Sequence, residues 1–102
     1  MASNGASDSI GTAAVSWTDS TGVHIRVYST DGDNVTERYN DGDGWKTGTL
    51  NVPGSEVSAT CWAVEGGYTV RLYATVQFES TTEWCNGPDT KGEWVKGAYT
   101  PG

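Results

Sequence analysis

The chain has 102 residues, enough for one small domain. Thirteen Asp and Glu stand against six Lys and Arg, and the formal net charge of -7 argues against DNA, RNA and anionic membranes as partners, because phosphate recognition needs a basic stripe. Fourteen Gly, five Trp, five Tyr and one Phe predict short strands, tight turns and stacking surfaces for a neutral ligand.

The first eleven residues are small and polar, and residues 1–11 are predicted to form a disordered lead-in. They lack the basic start and apolar middle of a signal peptide, and no segment is long and apolar enough to cross a membrane. We therefore expect a soluble protein without membrane insertion, either cytoplasmic or released by a non-classical route. Cys61 and Cys85 are expected to stay free thiols, because two cysteines in an unsecreted chain are seldom bridged.

Strand patterns follow one another along the chain, and no stretch of useful length has a helical period. In residues 23–28 aliphatic side chains alternate with polar or aromatic ones, which predicts a strand with one buried face. Segments rich in Gly, Asp, Asn and Pro separate the strands and predict turns. The predicted strands are 13–18, 23–28, 35–39, 45–50, 57–64, 69–73, 81–85 and 94–99.

The chain is an internal duplication, in which residues 13–54 match residues 58–102 with a period of about 45 residues. The matched pairs are Ala14 and Ala59, Trp17 and Trp62, Arg26 and Arg71, Tyr28 and Tyr73, Thr36 and Thr82, Glu37 and Glu83, Trp45 and Trp94, and Gly48 and Gly97. A four-stranded unit that repeats at this length is typical of a β-propeller blade. The sequence therefore predicts an all-β fold of two tandem four-stranded blades, residues 12–55 and 56–102.

Two blades do not make a closed ring, since propellers close with about four to eight blades. Alone, the two predicted blades would leave both flanking faces exposed, which favours aggregation. We therefore expect a closed oligomer, and two, three or four chains would give about four, six or eight blades.

Each copy carries one Arg, one Glu and one Trp in the same order. An Arg fork can donate to neighbouring sugar hydroxyls, a carboxylate can accept from them, and an aromatic ring can stack on the C–H face of the sugar. The alternative is structural, with an Arg–Glu salt bridge and a core Trp, but recurrence in both copies favours a sugar site. The candidate residues are Arg26 and Arg71 on the second strands, Glu37 and Glu83 on the third, and Trp45 and Trp94 at the start of the fourth.

Other notable residues are assigned structural roles. Trp17 and Trp62 lie beside small residues in the first strand of each copy and are predicted to pack in the core. His24, with Thr69 at the matched position, is interpreted as an ordinary strand histidine. The Asp-Gly-Asp runs at 31–33 and 41–43 are interpreted as turns, because neither continues into a calcium loop with Glu at the twelfth position. No metal or cofactor is expected.

Five stretches together resemble the Aleuria-type fucose-binding lectins. They are residues 24–28 (HIRVY), 36–38 (TER) followed by Gly44 and Trp45, 58–62 (SATCW), 81–85 (TTEWC) and 96–100 (KGAYT). The likeness runs from about Thr12 to Pro101 and is greatest to short two-repeat members, which assemble as trimers. The resemblance implies a six-bladed β-propeller completed by homotrimerisation, and L-fucose and fucosylated oligosaccharides as ligands.

The resemblance also implies that each fucose lies between adjacent blades, with Arg and Glu from one blade and a stacking Trp from the next. The implied intra-chain site consists of Arg26, Glu37, Gly48, Thr49, Trp94 and Asn86. The implied inter-chain site consists of Arg71, Glu83, Gly97 and Ala98, with Trp45 and Asn40 from a neighbouring chain. Asn40 and Asn86 replace a second aromatic of the family, so fucose affinity or preference is expected to be weaker. A longer loop before Trp94 is expected to make the two sites differ.

The alternatives to a fucose lectin are an enzyme, a protein-interaction module and a lectin for another sugar. Glycoside hydrolysis usually needs two carboxylates flanking one bond, whereas only Glu37 and Glu83 recur convincingly in strands, one in each copy. The sequence also lacks a nucleophile elbow, a metal cluster and a phosphate loop, so no enzyme activity is expected. A propeller protein-interaction module, or a lectin with another monosaccharide preference, remains the alternative.

Overall fold

The computed structural model describes residues 11–77 and 79–101, which form two four-stranded antiparallel sheets. The first sheet contains β1 (Gly11–Asp19), β2 (Gly22–Thr30), β3 (Asn34–Asn40) and β4 (Trp45–Pro53). The second contains β5 (Glu56–Val64), β6 (Gly67–Thr75), β7 (Thr81–Asn86) and β8 (Val95–Lys96). Strands pair in chain order within each sheet. The all-β fold and the four strands predicted for each copy are therefore confirmed.

Strands β1 to β7 extend one to three residues past the predicted bounds at one or both ends, whereas β8 is shorter than predicted. Strand β1 begins at Gly11, inside the predicted lead-in, and the rest of that lead-in, residues 1–10, lies outside the described residues. Strand β8 has only two residues, Val95–Lys96. The segment after it contacts Glu83, whose backbone oxygen accepts from Gly97 N at 2.8 Å and whose Oε1 accepts from Tyr99 N at 3.1 Å. Cys61 and Cys85 are free, as predicted. No described helix is long and apolar enough to cross a membrane.

The core lies between the two sheets and combines aliphatic residues with one tyrosine. It consists of Tyr28, Val35, Leu50, Val52, Val70, Leu72 and Ala74. In the second sheet the aliphatic face of β6 is buried, as the period of two predicts, with Leu72 at 0% exposure. In the first sheet the opposite face is the buried one, because Tyr28 is fully buried whereas Val23 is 53% exposed. The first sheet packs its polar and aromatic face against the aliphatic face of the second.

Residues at matched positions in the two copies consequently differ in burial. Tyr28 is buried, but its counterpart Tyr73 is only partly buried. Trp17 packs against the core and stacks on Tyr68 at 5.2 Å between ring centroids. Its counterpart Trp62 is 45% exposed, so the core position predicted for Trp62 is wrong for the single chain. Each sheet thus has one face covered by the other sheet and one face left open.

Candidate functional site

The residues predicted for the intra-chain site surround one cavity between the two sheets. The cavity has a volume of about 660 Å³, within the range of small-molecule sites. Its lining includes all six predicted residues, namely Arg26, Glu37, Gly48, Thr49, Asn86 and Trp94. The first sheet supplies four of them, and the second copy supplies Asn86 at the end of β7 and Trp94 just before β8. The structure therefore brings Arg26 and Trp94, which lie almost seventy residues apart in the sequence, to the same cavity.

The carboxylate at the centre of this group belongs to Glu37, which is only 7% exposed. Tyr28 donates its hydroxyl to Oε2 at 2.9 Å. The β3–β4 ladder is interrupted opposite Glu37, because Thr36 pairs with Asn51 while Arg38 pairs with Thr47. Such bulges re-aim side chains beside binding sites. The bulge here places a short stretch of β4 against the carboxylate.

Gly48 lies in that bulge and makes room for the Glu37 side chain. A Cβ atom built on Gly48 would collide with Oε1, Cδ and Cγ of Glu37. The second sheet repeats this arrangement, since a Cβ on Gly97 would collide with the carboxylate of Glu83. The two glycines therefore serve close approach to a carboxylate, which explains why this position in each copy lacks a side chain.

The two carboxylates differ in their electrostatics because they differ in burial. Burial raises the pKa of Glu37 above its usual value, although the Tyr28 hydroxyl and the charge of Arg26 oppose the shift. Glu83 is more exposed, and the hydrogen bond from the Tyr73 hydroxyl lowers its pKa. The intra-chain carboxylate is thus the less hydrated acceptor of the two.

Arg26 is held at one end of its guanidinium. Its Cζ lies over the ring of Trp17 at 4.8 Å and over the ring of Tyr39 at 4.9 Å from the centroids. Its Nη1 donates to Asp41 Oδ1 at 2.8 Å and to the preceding backbone carbonyl at 3.1 Å. Within the described part of the chain its ion pair is with Asp41, not with Glu37, so the salt bridge considered as an alternative is absent from this copy.

Trp94 and Asn86 are the predicted site residues that the second copy contributes to the cavity. The Trp94 ring contacts Tyr28 edge-on, with centroids 5.8 Å apart and planes at 88°. Asn86 Nδ2 donates to the backbone oxygen of Gly92 at 3.0 Å, which closes the longer loop that contains a 3₁₀ turn over Pro88–Thr90. Asn86 therefore supports the loop that precedes Trp94 rather than presenting a flat wall to a ligand.

Four residues predicted for the inter-chain site lie together on the open face of the second sheet. Arg71 Nε is 3.9 Å from Glu83 Oε2, and Arg71 Nη1 donates to Thr69 Oγ1. The carboxylate also interacts with the turn that follows β8, where Gly97 and Ala98 are found. This group has the same residue types as the first, but here Arg and Glu form an ion pair, so the structural alternative is present in this copy. Within the described chain no counterpart of Trp94 covers the group.

Trp45 and Asn40, the remaining members of the predicted inter-chain site, lie elsewhere on the molecule. Trp45 is 49% exposed at the start of β4, and Asn40 Oδ1 accepts from Gly42 N at 2.7 Å in the following turn. Among the described residues, no hydrogen bond, aromatic contact or cavity joins them to Arg71 and Glu83. The single chain therefore does not assemble the predicted inter-chain site.

The family model of the fungal fucose-specific lectins matches residues 3–101, nearly the whole chain. The chain belongs to the fungal fucose-specific lectin family. This result confirms the family predicted from the sequence stretches, and membership implies sugar binding without catalysis. A search of curated proteins found no match to the chain.

One feature of this lectin-family member was missed by the sequence interpretation, namely the network around His24. His24 Nδ1 lies 2.7 Å from Asp41 Oδ1, and Nε2 lies 3.0 Å from Asp19 Oδ1. Asp41 is therefore more than a turn residue, and His24 more than an ordinary strand histidine. The hairpin register could have indicated this, because Trp17 pairs with His24 and places Asp19 as a diagonal neighbour on the same face.

The His24 network predicts a pH-dependent stability for this lectin-family member. Hydrogen bonds to Asp41 and then Asp19 raise the pKa of His24 above 6.5, its usual value. His24 therefore stabilises the fold fully below pH 6.5, and this contribution is lost as the pH rises through the higher pKa of the folded state. We expect the melting-temperature difference between the native chain and His24→Thr to shrink from about pH 5 to about pH 9. A constant difference would contradict the role assigned to the imidazolium.

Proposed function

We propose that the protein binds L-fucose and fucosylated glycans at two kinds of site and does not act on the sugar chemically. The observation that carries the proposal is the cavity joining Arg26, Glu37 and Trp94 from the two sheets. In this arrangement the guanidinium donates to sugar hydroxyls and the carboxylate accepts from them. Trp94 offers its ring to the C–H face of the sugar. A neutral, hydroxyl-rich ligand satisfies all three groups.

The arrangement supports binding rather than hydrolysis. Glycoside hydrolysis generally requires two carboxylates that flank the scissile bond. Beside Glu37, the other carboxylates at this cavity are Asp19 and Asp41, and both are engaged by His24 or Arg26. Neither is left as a second catalytic group, so the chemistry that remains is recognition of hydroxyls.

We further propose that three chains close into a six-bladed β-propeller. In each sheet, the open face carries the residues that match those on the covered face of the other sheet. The stacked pair Trp17 and Tyr68 joins the two sheets within the chain, and its counterparts, Trp62 and Val23, are 45% and 53% exposed. A head-to-tail neighbour would bring Val23 of one chain against Trp62 of the next, a heterologous contact that forms rings when the rotation closes.

Ring closure would also complete the second kind of site. Arg71 and Glu83 lie on one open face, whereas Trp45 lies exposed on the other sheet. In the proposed ring, Trp45 of the neighbouring chain takes the place that Trp94 has over the intra-chain site. Each chain would then account for two sugar sites. Several weak sites on one assembly gain avidity when glycans are dense.

Calorimetric titration with L-fucose tests the proposal. We expect about two sites per chain for the native protein and about one for Arg71→Ala, with the trimer mass retained in sedimentation. The matched variant Arg26→Ala should also leave about one site, of the inter-chain kind. Absence of binding heat with fucose would overturn the fucose assignment, and binding to a protein partner regardless of fucose would favour an interaction module.

A further inference from the structure

We propose that Asp41 is a positioning residue of the intra-chain site, which fixes the Arg26 guanidinium so that its unused donors face the sugar. The inference rests on the proposed function and deepens it, because it assigns a reason for a difference between the two sites. The residue does not need to touch the sugar itself. Its effect is exerted through the arginine.

The contacts of Arg26 divide its donors into two sets. Nη1 is occupied by Asp41 Oδ1 at 2.8 Å and by the carbonyl of the preceding residue at 3.1 Å. Within the described part of the chain, Nε and Nη2 make no hydrogen bond, and these are the donors available to a pair of neighbouring hydroxyls. Because the guanidinium is a planar fork, fixing one nitrogen and stacking the plane near Trp17 and Tyr39 determines where the others point.

Asp41 is in turn held in place from the opposite side. The same Oδ1 atom that accepts from Arg26 lies 2.7 Å from His24 Nδ1. His24 Nε2 is 3.0 Å from Asp19 Oδ1 and 2.9 Å from Thr21 Oγ1, so the imidazole spans two carboxylates. This chain of contacts ties the β1–β2 turn to the residue that follows β3. The arginine is thereby ordered before a ligand arrives, which reduces the entropy lost on binding.

The second copy lacks this support. The matched positions of His24 and Asp41 are Thr69 and Gly87, so the carboxylate that Arg71 pairs with, Glu83 at 3.9 Å, is the proposed sugar ligand itself and not a separate anchor. Arg71 Nη1 donates instead to the neutral hydroxyl of Thr69, and Arg71 lies over a single ring, that of Trp62, at 5.1 Å. Charge-assisted hydrogen bonds are roughly twice as strong as neutral ones. We therefore expect the intra-chain site to bind the sugar more tightly than the inter-chain site does.

The test uses the full chain carrying Arg71→Ala, in which only the intra-chain site remains. Adding Asp41→Ala should weaken L-fucose binding about tenfold, because Arg26 loses its charge-assisted anchor. Adding Asp41→Asn should weaken it less, since the amide oxygen can still accept. Asp43→Asn is the matched control in the same turn: Asp43 pairs with exposed Lys46 at 2.8 Å, and affinity should stay unchanged.

A second comparison separates positioning from mere structural support. Val35→Ala removes two methyl groups from the core away from the cavity and should lower the melting temperature, yet keep affinity within about twofold because Arg26 retains Asp41. An affinity that followed the melting temperature across the Val35 and Asp41 variants would overturn the inference. So would an unchanged affinity in both Asp41 variants, with the proposed function intact. If the Arg71→Ala parent bound no fucose, the proposed intra-chain function would fail as well.

Discussion

Val23→Asp is expected to release single chains that keep the intra-chain sugar site and lose the inter-chain site. Val23 is 53% exposed, so the substitution leaves the core of the chain untouched. In the proposed ring it packs against Trp62 of the next chain, and a carboxylate desolvated there without a partner costs several kcal/mol. Sedimentation should show the mass of one chain, and titration should show about one fucose site per chain instead of about two.

The control for this variant is Val64→Asp. Val64 is also exposed, at 38%, and the matched position in the first copy already carries an acidic residue, Asp19. We expect the Val64 variant to keep the assembly and both kinds of site. A Val23→Asp protein that sedimented as a trimer would show that chains associate through another surface.

Gly48→Ala is expected to eliminate the intra-chain site while the assembly persists. The added methyl group would meet the carboxylate of Glu37, which is buried and bonded to Tyr28, and therefore cannot swing away without losing that partner. Displacing the acceptor by about 1 Å is enough to lose an oriented hydrogen bond, and we expect affinity at this site to fall at least about tenfold.

The matched variant in the second copy is Gly97→Ala, which should remove the inter-chain site instead, because Gly97 lies against Glu83 in the same way. Asn51→Ala, an exposed position on the same strand as Gly48, serves as the control and should change neither site. Titration gives the number of sites for each variant. Two full-strength sites in Gly48→Ala would mean that Glu37 is not a sugar ligand.

The strands were predictable because local patterns determine them, but the buried face of the first sheet was not. Period-two alternation in residues 23–28 shows that β2 has two chemically distinct faces. It does not show which face packs against the other sheet of the same chain. Trp62 was predicted to pack in the core, yet Trp62 and Val23 are 45% and 53% exposed in the single chain. In the proposed ring, sheets of neighbouring chains cover them.

The candidate site was predictable as a set of side chains and not as a geometry. The repeat and the family resemblance identified Arg26, Glu37 and Trp94, which the structure places around one cavity. The roles of Tyr28 and Asp41 depend on cross-strand register and on a bulge opposite Glu37, which composition and spacing do not encode. Hydrogen-bond partners of this kind become visible only once the strands are paired.

The exposed position of Trp45, far along the chain from Arg71 and Glu83, has a thermodynamic consequence in the proposed ring. A sugar in the inter-chain site would contact two chains at once, so the binding of sugar and the binding of the neighbouring chain affect one another. By reciprocity, assembly raises the affinity of the inter-chain site for sugar by the same factor as bound sugar raises the affinity of the chains for one another. Dilution of the protein would therefore cost the inter-chain sites their sugar first, whereas a surface dense in fucose would stabilise the closed ring.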